Sequence, residues 1–175
     1  MILRKFFKSF AVILAGVLMM AFLGGCGNSD KLSGEWVGSG RYNQTDFDCL
    51  YTLKVEKNGS GNGYTVTQTR SYWKAKENIS DGSVSYNWNE EKTQPMAGSA
   101  KDNSLRFTLP GNTQNSSMIT FMEKDGTLQY TTGSNTVTLH KEKDIKGELE
   151  KFKNSQKEKL TNDLTKIGRR FTFNE

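Results

Sequence analysis

The residues that could do chemistry in this chain are few. There is one histidine, and there are two cysteines among 175 residues. That supply cannot build an all-cysteine zinc site, a classical zinc finger or a triple-histidine centre. His140 ends an alternating run and has no Ser or Asp at a fixed spacing to make it a base. Asp46, Asp48, Glu90 and Glu91 are the candidates for paired-carboxylate chemistry, but they fall in turns and strand ends with no pattern that singles out two. The chain has no Gly-x-Ser-x-Gly elbow, no phosphate loop and no metal-type cysteine spacing. We therefore expect no enzyme, no cofactor and no metal.

The remaining concentration of chemistry is aromatic and polar. Tyr64, Gln68, Arg70 and Tyr72 share one parity in one run, and Tyr86 and Trp88 alternate in the next. If that parity faces a core, Gln68 and Arg70 stand inside an apolar interior, where an unpaired Arg is prohibitively costly. Three readings resolve this. The interior holds a wet cavity, the strand rises beyond the core, or a bulge shifts the parity so that Trp73 turns inward and Arg70 outward. Under the first, all six residues are ligand-binding candidates.

These residues belong to a regular series. From Gly34 to His140, short alternating runs recur: Trp36 to Arg41, Cys49 to Glu56, Tyr64 to Trp73, Val84 to Trp88, Met96 to Ala100, Leu105 to Leu109, Met118 to Met122, Leu128 to Thr132 and Thr136 to His140. Alternation is the period of a strand with one buried face. Turn residues separate the runs, as in Asp81-Gly82, Pro110-Gly111-Asn112, Asp125-Gly126 and Gly133-Ser134-Asn135. The spacing predicts a mainly β fold, an antiparallel up-and-down meander closing into a barrel of about 8–9 strands.

After Lys141 the period changes. Ile145, Leu149, Phe152, Leu160, Leu164 and Ile167 mark one face of a helix. Asp144 can cap its start and Gly168 can end it. Leu149, Phe152, Leu160 and Leu164 are expected to pack on the sheet, and Glu148–Lys151, Glu150–Lys153 and Asp163–Lys166 to pair on the wet side. The alternating tail Arg169-Arg170-Phe171-Thr172-Phe173 is a candidate last strand.

The first residues are of another kind. Arg4, Lys5 and Lys8 precede a 13-residue apolar run, Phe10 to Phe22, the make-up of a secretory signal and too short for a confident membrane span. The run ends in Leu23-Gly24-Gly25-Cys26, which resembles the bacterial lipoprotein lipobox. The resemblance implies cleavage before Cys26 and attachment of diacylglycerol to its thiol, a two-chain and hence stable anchor. The expected organisation is a signal peptide over 1–25, a lipidated tether over 26–33, a β-barrel over 34–140, and a helix with tail over 141–175. With Cys26 lipidated, Cys49 has no partner and reads as a small buried hydrophobe. Without the leader, the formal charge falls from +5 to +2, with the excess in residues 141–175. That is too sparse for a nucleic-acid surface and suits a solvated helix near an anionic membrane.

Gly34-Glu35-Trp36 resembles the Gly-x-Trp motif of lipocalins and related calycin barrels, and a meander followed by a helix is similar in layout. The resemblance implies a lipocalin-like barrel with Trp36 at its closed end, packed by a late basic residue, for which Arg169 and Arg170 are the candidates. Thr45-Asp46-Phe47 has the letters of a second family motif but lies between the first two runs, not where the family places it. The expected protein is a membrane-anchored extracytoplasmic lipoprotein binding a small hydrophobic or amphipathic ligand. The alternative is an interaction or inhibitor module whose loops and helix engage an envelope or host protein.

Overall fold

The computed structural model describes residues 30–41, 47–59, 61–109 and 116–175. The apolar leader, Cys26, Asp46 and the Pro110-Gly111-Asn112 turn lie outside the described residues. All nine alternating runs are strands: β1 (Gly34–Arg41), β2 (Asp48–Lys57), β3 (Gly63–Glu77), β4 (Val84–Lys92), β5 (Met96–Lys101), β6 (Ser104–Thr108), β7 (Ser116–Met122), β8 (Thr127–Thr132) and β9 (Asn135–Lys141). Helix α1 (Ile145–Lys166) and a short β10 (Phe171–Asn174) follow.

Eight strands close an antiparallel barrel in the order β3-β2-β1-β9-β8-β7-β6-β5, with β5 returning to β3. This layout is compatible with the lipocalin-like one. β4 is not part of the ring. At 15 residues and about 3.3 Å per residue, β3 is long enough to serve two neighbours along one edge. Gly63–Val66 pairs with β5 and closes the barrel, whereas Thr69–Glu77 pairs with β4. The edge forks at Gln68, where the N–H and side chain of Thr93 reach the Gln68 backbone. β4 then pairs with β10, in parallel.

Inside the barrel, Trp36, Tyr51, Leu53, Val55, Val66, Leu105, Ile119, Leu128, Tyr130 and Leu139 form the core, and buried Cys49 packs with them as a small hydrophobe. Strand β1 places glycine above Trp36 on the same inner parity. A Cβ on Gly38 would stand 2.2 Å from the Thr138 carbonyl oxygen and 2.9 Å from Leu139. The missing side chain is what lets β9 close against β1.

The Trp36 end of the barrel is sealed. Buried Leu32 accepts a 2.9 Å hydrogen bond from the indole N–H of Trp36, and Phe121 meets the indole edge-on at 6.3 Å. A cation does cover the ring, but it is Lys141, with Nζ 5.2 Å from the centroid. Arg169 and Arg170 are elsewhere. Arg169 binds Glu77 and the Gly82 carbonyl, and Arg170 binds the Asp81 carbonyl. The reason is topological: β10 docks on β4, which carries the residues just after α1 to the β3–β4 hairpin, whereas Lys141 enters beside Trp36 by direct pairing of β9 with β1.

α1 lies on the outer face, against β1, β2 and β3. Asp144 caps it by accepting from the Gly147 N–H at 3.0 Å. Of the four residues expected to be buried on it, only Leu164 is; Leu149, Phe152 and Leu160 are half-buried, and Ile167 is 70% exposed. A cylinder on a convex barrel wall touches along a narrow line, so an apolar stripe is only partly covered. Lys153 does not pair with Glu150 but with Glu175, because the returning β10 brings the chain end under the helix. The two remaining wet-side pairs, Glu148–Lys151 and Asp163–Lys166, are present.

Candidate functional site

No bulge disturbs β3. Its residues pair one to one with β2 from Leu50 to Lys57 and with β4 from Val84 to Lys92. The inner parity therefore runs unbroken through Tyr64, Val66, Gln68, Arg70 and Tyr72, and the bulge reading is corrected. Trp73 is buried too, but on the outside, where its indole N–H donates to the Lys153 carbonyl of α1 at 3.1 Å. Two consecutive buried aromatics, Tyr72 and Trp73, need cover on both faces, and α1 supplies the second.

The interior beside the fork is polar. Arg70 donates to Glu91 at 2.8 Å, and the Tyr72 hydroxyl donates to the other oxygen of the same carboxylate at 2.5 Å. β4 contributes Glu91 because its last residues pair with β3 at this level. Deeper in lies Gln68, 1% exposed, and across the barrel from β8 stands Tyr130, 0% exposed. The Tyr130 hydroxyl lies near Gln68, Ser117, Thr132 and Arg70, and burial pushes its ionisation upward against the opposing pull of those groups. No hydrogen bond of normal length reaches that hydroxyl or the Gln68 amide oxygen. Ser117 and Thr132 are in contact with each other at 3.3 Å.

The walls of this region are aromatic. Tyr51 meets Tyr130 edge-on at 5.8 Å, and Phe107 stacks on it at 6.1 Å. Phe47, partly exposed, lies flat over Tyr72 at 6.3 Å. Cys49, on the same inner parity as Tyr51, is pushed up to about 12, chiefly by burial.

Comparison with known protein families, curated proteins and solved structures finds no match to this chain.

The six ligand-binding candidates fall into three places. Gln68, Arg70 and Tyr72 come together at the fork. Tyr64 is also inside, but four residues along β3 from Gln68, about 13 Å away, towards the Trp36 end. Tyr86 and Trp88 lie on the outer face. Tyr86 stacks on Phe173 at 5.3 Å, Trp88 meets Trp73 at 5.2 Å, and Lys153 covers the Trp88 ring at 5.6 Å. They form a second apolar nucleus under α1 and β10, not a barrel lining. Sequence reasoning missed Tyr51, Ser117, Tyr130 and Thr132. Their alternation with buried residues placed them inside, but nothing in the sequence showed that Tyr130, with Ser117 and Thr132 beside it, meets Gln68 across the barrel. Among the other chemical candidates, Asp48 pairs with Lys159, Glu90 accepts from the Trp88 indole, and His140 is exposed. Among the described residues no group of His, Cys, Asp and Glu converges as a metal site would require.

Proposed function

We propose that this chain is a lipid-anchored, extracytoplasmic β-barrel protein that holds a small or amphipathic ligand at the fork of β3. One observation supports the ligand reading: beside the fork the inner face turns polar, where Arg70, Tyr72 and Glu91 form one linked group, and Arg70 and Glu91 stay partly open to solvent next to Phe47, which lies over Tyr72. The interior of an eight-stranded barrel is just wide enough for its own side chains or for one small ligand, and here aromatic side chains fill the part below the fork, so the guest is placed at the fork itself. The reading is non-enzymatic: Glu91, the carboxylate that β4 brings to the fork, is held by Arg70 and Tyr72. The anchor rests on Leu23-Gly24-Gly25-Cys26 after a basic and apolar leader, which supports a bacterial envelope or cell-surface location and a diacylglyceryl group on Cys26.

A second reading, an interaction module of the envelope, is favoured by the β3–β4 hairpin tip. Asn78 and Asp81 tie the turn through Ser80 and Ser83, and Arg169 and Arg170 clamp it from α1's end. This braced loop displays Ile79 at 98% exposure, an apolar side chain held out at the tip where a partner's pocket could take it. Native mass spectrometry of the protein purified from its own cell separates the two. A co-purifying small molecule is the expected result. A ligand-free chain carrying a protein partner that is lost on Ile79→Asp would favour the second reading instead.

A further inference from the structure

We propose that Asn58 is a site of spontaneous covalent modification: the Gly59 backbone nitrogen attacks the Asn58 side-chain amide, and hydrolysis of the resulting ring leaves aspartate or isoaspartate in the β2–β3 turn. The inference is independent of the ligand reading. The chain has two Asn-Gly dipeptides, Asn58-Gly59 and Asn62-Gly63, both in this turn and both with the asparagine exposed. Glycine makes the attack possible, because no Cβ crowds the nitrogen as it approaches. By sequence the two sites are equal. Their hydrogen bonds separate them.

Reaction requires the Asn–Gly peptide plane to turn until its nitrogen meets the side-chain Cγ. At Asn62 that plane is pinned. The Asn62 carbonyl accepts from the Ala100 N–H at 2.8 Å, and Gly63 opens β3 in register with Ser99, where the barrel closes. Turning the plane breaks the ladder at that closure, an opening that only a small fraction of folded molecules makes at any moment. At Asn58 the plane is loose. Gly59 stands at φ +64° with nothing within 4 Å of where a Cβ would be, and among the described residues no acceptor takes its N–H. The bond from the Asn58 N–H to the Gly63 carbonyl, at 2.8 Å, belongs to the preceding peptide and leaves the reacting one free to turn. Thr65 adds a chemical aid. Its hydroxyl donates to Asn58 Oδ1 at 3.1 Å. Negative charge gathers on that oxygen as the nitrogen attacks, so the hydroxyl serves as an oxyanion donor.

The reaction balances without oxidant or reductant. The Gly59 nitrogen gives its proton to solvent and bonds to Cγ, the Cγ–Nδ2 bond breaks, and ammonia leaves behind a cyclic succinimide. Water then adds to either imide carbonyl and opens the ring. Both products carry a new carboxylate beside Lys57, and isoaspartate also inserts a carbon into the main chain between Asn58 and Gly63.

The test is incubation of the full mature protein in warm, mildly alkaline buffer, followed by tryptic mapping against an unincubated sample. Both asparagines fall in one tryptic peptide, residues 58–70, so fragmentation assigns product to each in the same measurement. In the folded protein Asn58 is expected to convert at least about tenfold faster than Asn62, and in guanidinium-unfolded chain the two rates are expected to converge. Thr65→Val should slow conversion at Asn58 severalfold, with circular dichroism establishing that the variant is folded. Equal rates at the two sites in the folded protein, or a faster Asn62, overturn the assignment to Asn58. Conversion at Asn58 only after unfolding overturns it as well. A rate that Thr65→Val leaves unchanged or raises overturns the role given to the hydroxyl.

Discussion

At the scale of single residues, the fork of β3 shows how a strand that is mostly apolar on its inner parity can carry polar groups at two inner positions. Val66 and Tyr72 bury carbon; Gln68 and Arg70 between them do not, and their neighbours adapt. Arg70 is rescued by Glu91 from a different strand. Cys49, one strand away, remains a thiol. Its ionisation is pushed from 9.0 to about 12, mainly by burial and against the lowering effects of the Ser71 backbone hydrogen bond and Arg70. This has a pH consequence whose sign is fixed. Above about pH 9 the unfolded thiol loses its proton while the folded one keeps it, so the unfolded state binds fewer protons and stability falls as pH rises. Tyr130, also raised, adds in the same direction at higher pH. Thermal melts from pH 7 to 12 are expected to hold level to about pH 9 and then decline. Cys49→Ala, although less stable at neutral pH because of the cavity it leaves, should lose the earlier part of that decline. A decline identical to that of the parent would show that the thiol is not the titrating group.

At the scale of elements, the sequence made the strands legible and left their partners obscure. Each alternating run became a strand because a period of two, broken by Gly, Asn and Asp, has one folded outcome when the apolar face is buried. Parity says which face a residue takes, but not which strand lies alongside. Hence the fork at Gln68, the departure of β4 from the barrel, and the parallel docking of β10 were not readable. The pair Tyr72 and Trp73 illustrates the limit. Both are apolar in succession, which fits a bulge or a strand covered on both faces, and only the position of α1 decides for the latter. The same limit explains Arg169 and Arg170: the distance from Trp36 in space follows from strand order, which no local pattern encodes. The helix is a good case for measurement. Trp73 is buried and donates to the Lys153 carbonyl, whereas Phe152 is half-buried at the rim of the same nucleus, 6.5 Å from Trp88. Trp73→Ala should therefore cost about 3–5 kcal/mol and Phe152→Ala only about 1–2 kcal/mol. Chemical denaturation of the two variants checks this. Equal losses would mean that α1 holds the sheet through Phe152 as firmly as through Trp73.

At the scale of the whole molecule, the proposed anchor and the candidate site are separable. Every residue of the site lies in Leu32–Glu175, which forms one unit, and the sealed Trp36 end is completed within it by Leu32. The lipidation proposed at Cys26 would therefore act on where the protein is, not on whether the barrel forms. One acyl chain gives only reversible attachment and two give a stable one, so loss of the thiol should change location in an all-or-none way. Cys26→Ala is expected to block lipidation and to release the protein from the membrane fraction or leave it as an uncleaved precursor. The released or solubilised protein should keep the parent's melting temperature. Fractionation followed by intact-mass analysis reads the first outcome, and thermal melts read the second. Unchanged membrane retention, with a mature N-terminus at another position, would remove the lipoprotein reading. A lower melting temperature together with loss of the lipid would show instead that the acyl chains themselves support the barrel, because no residue of Leu32–Glu175 is altered by the substitution.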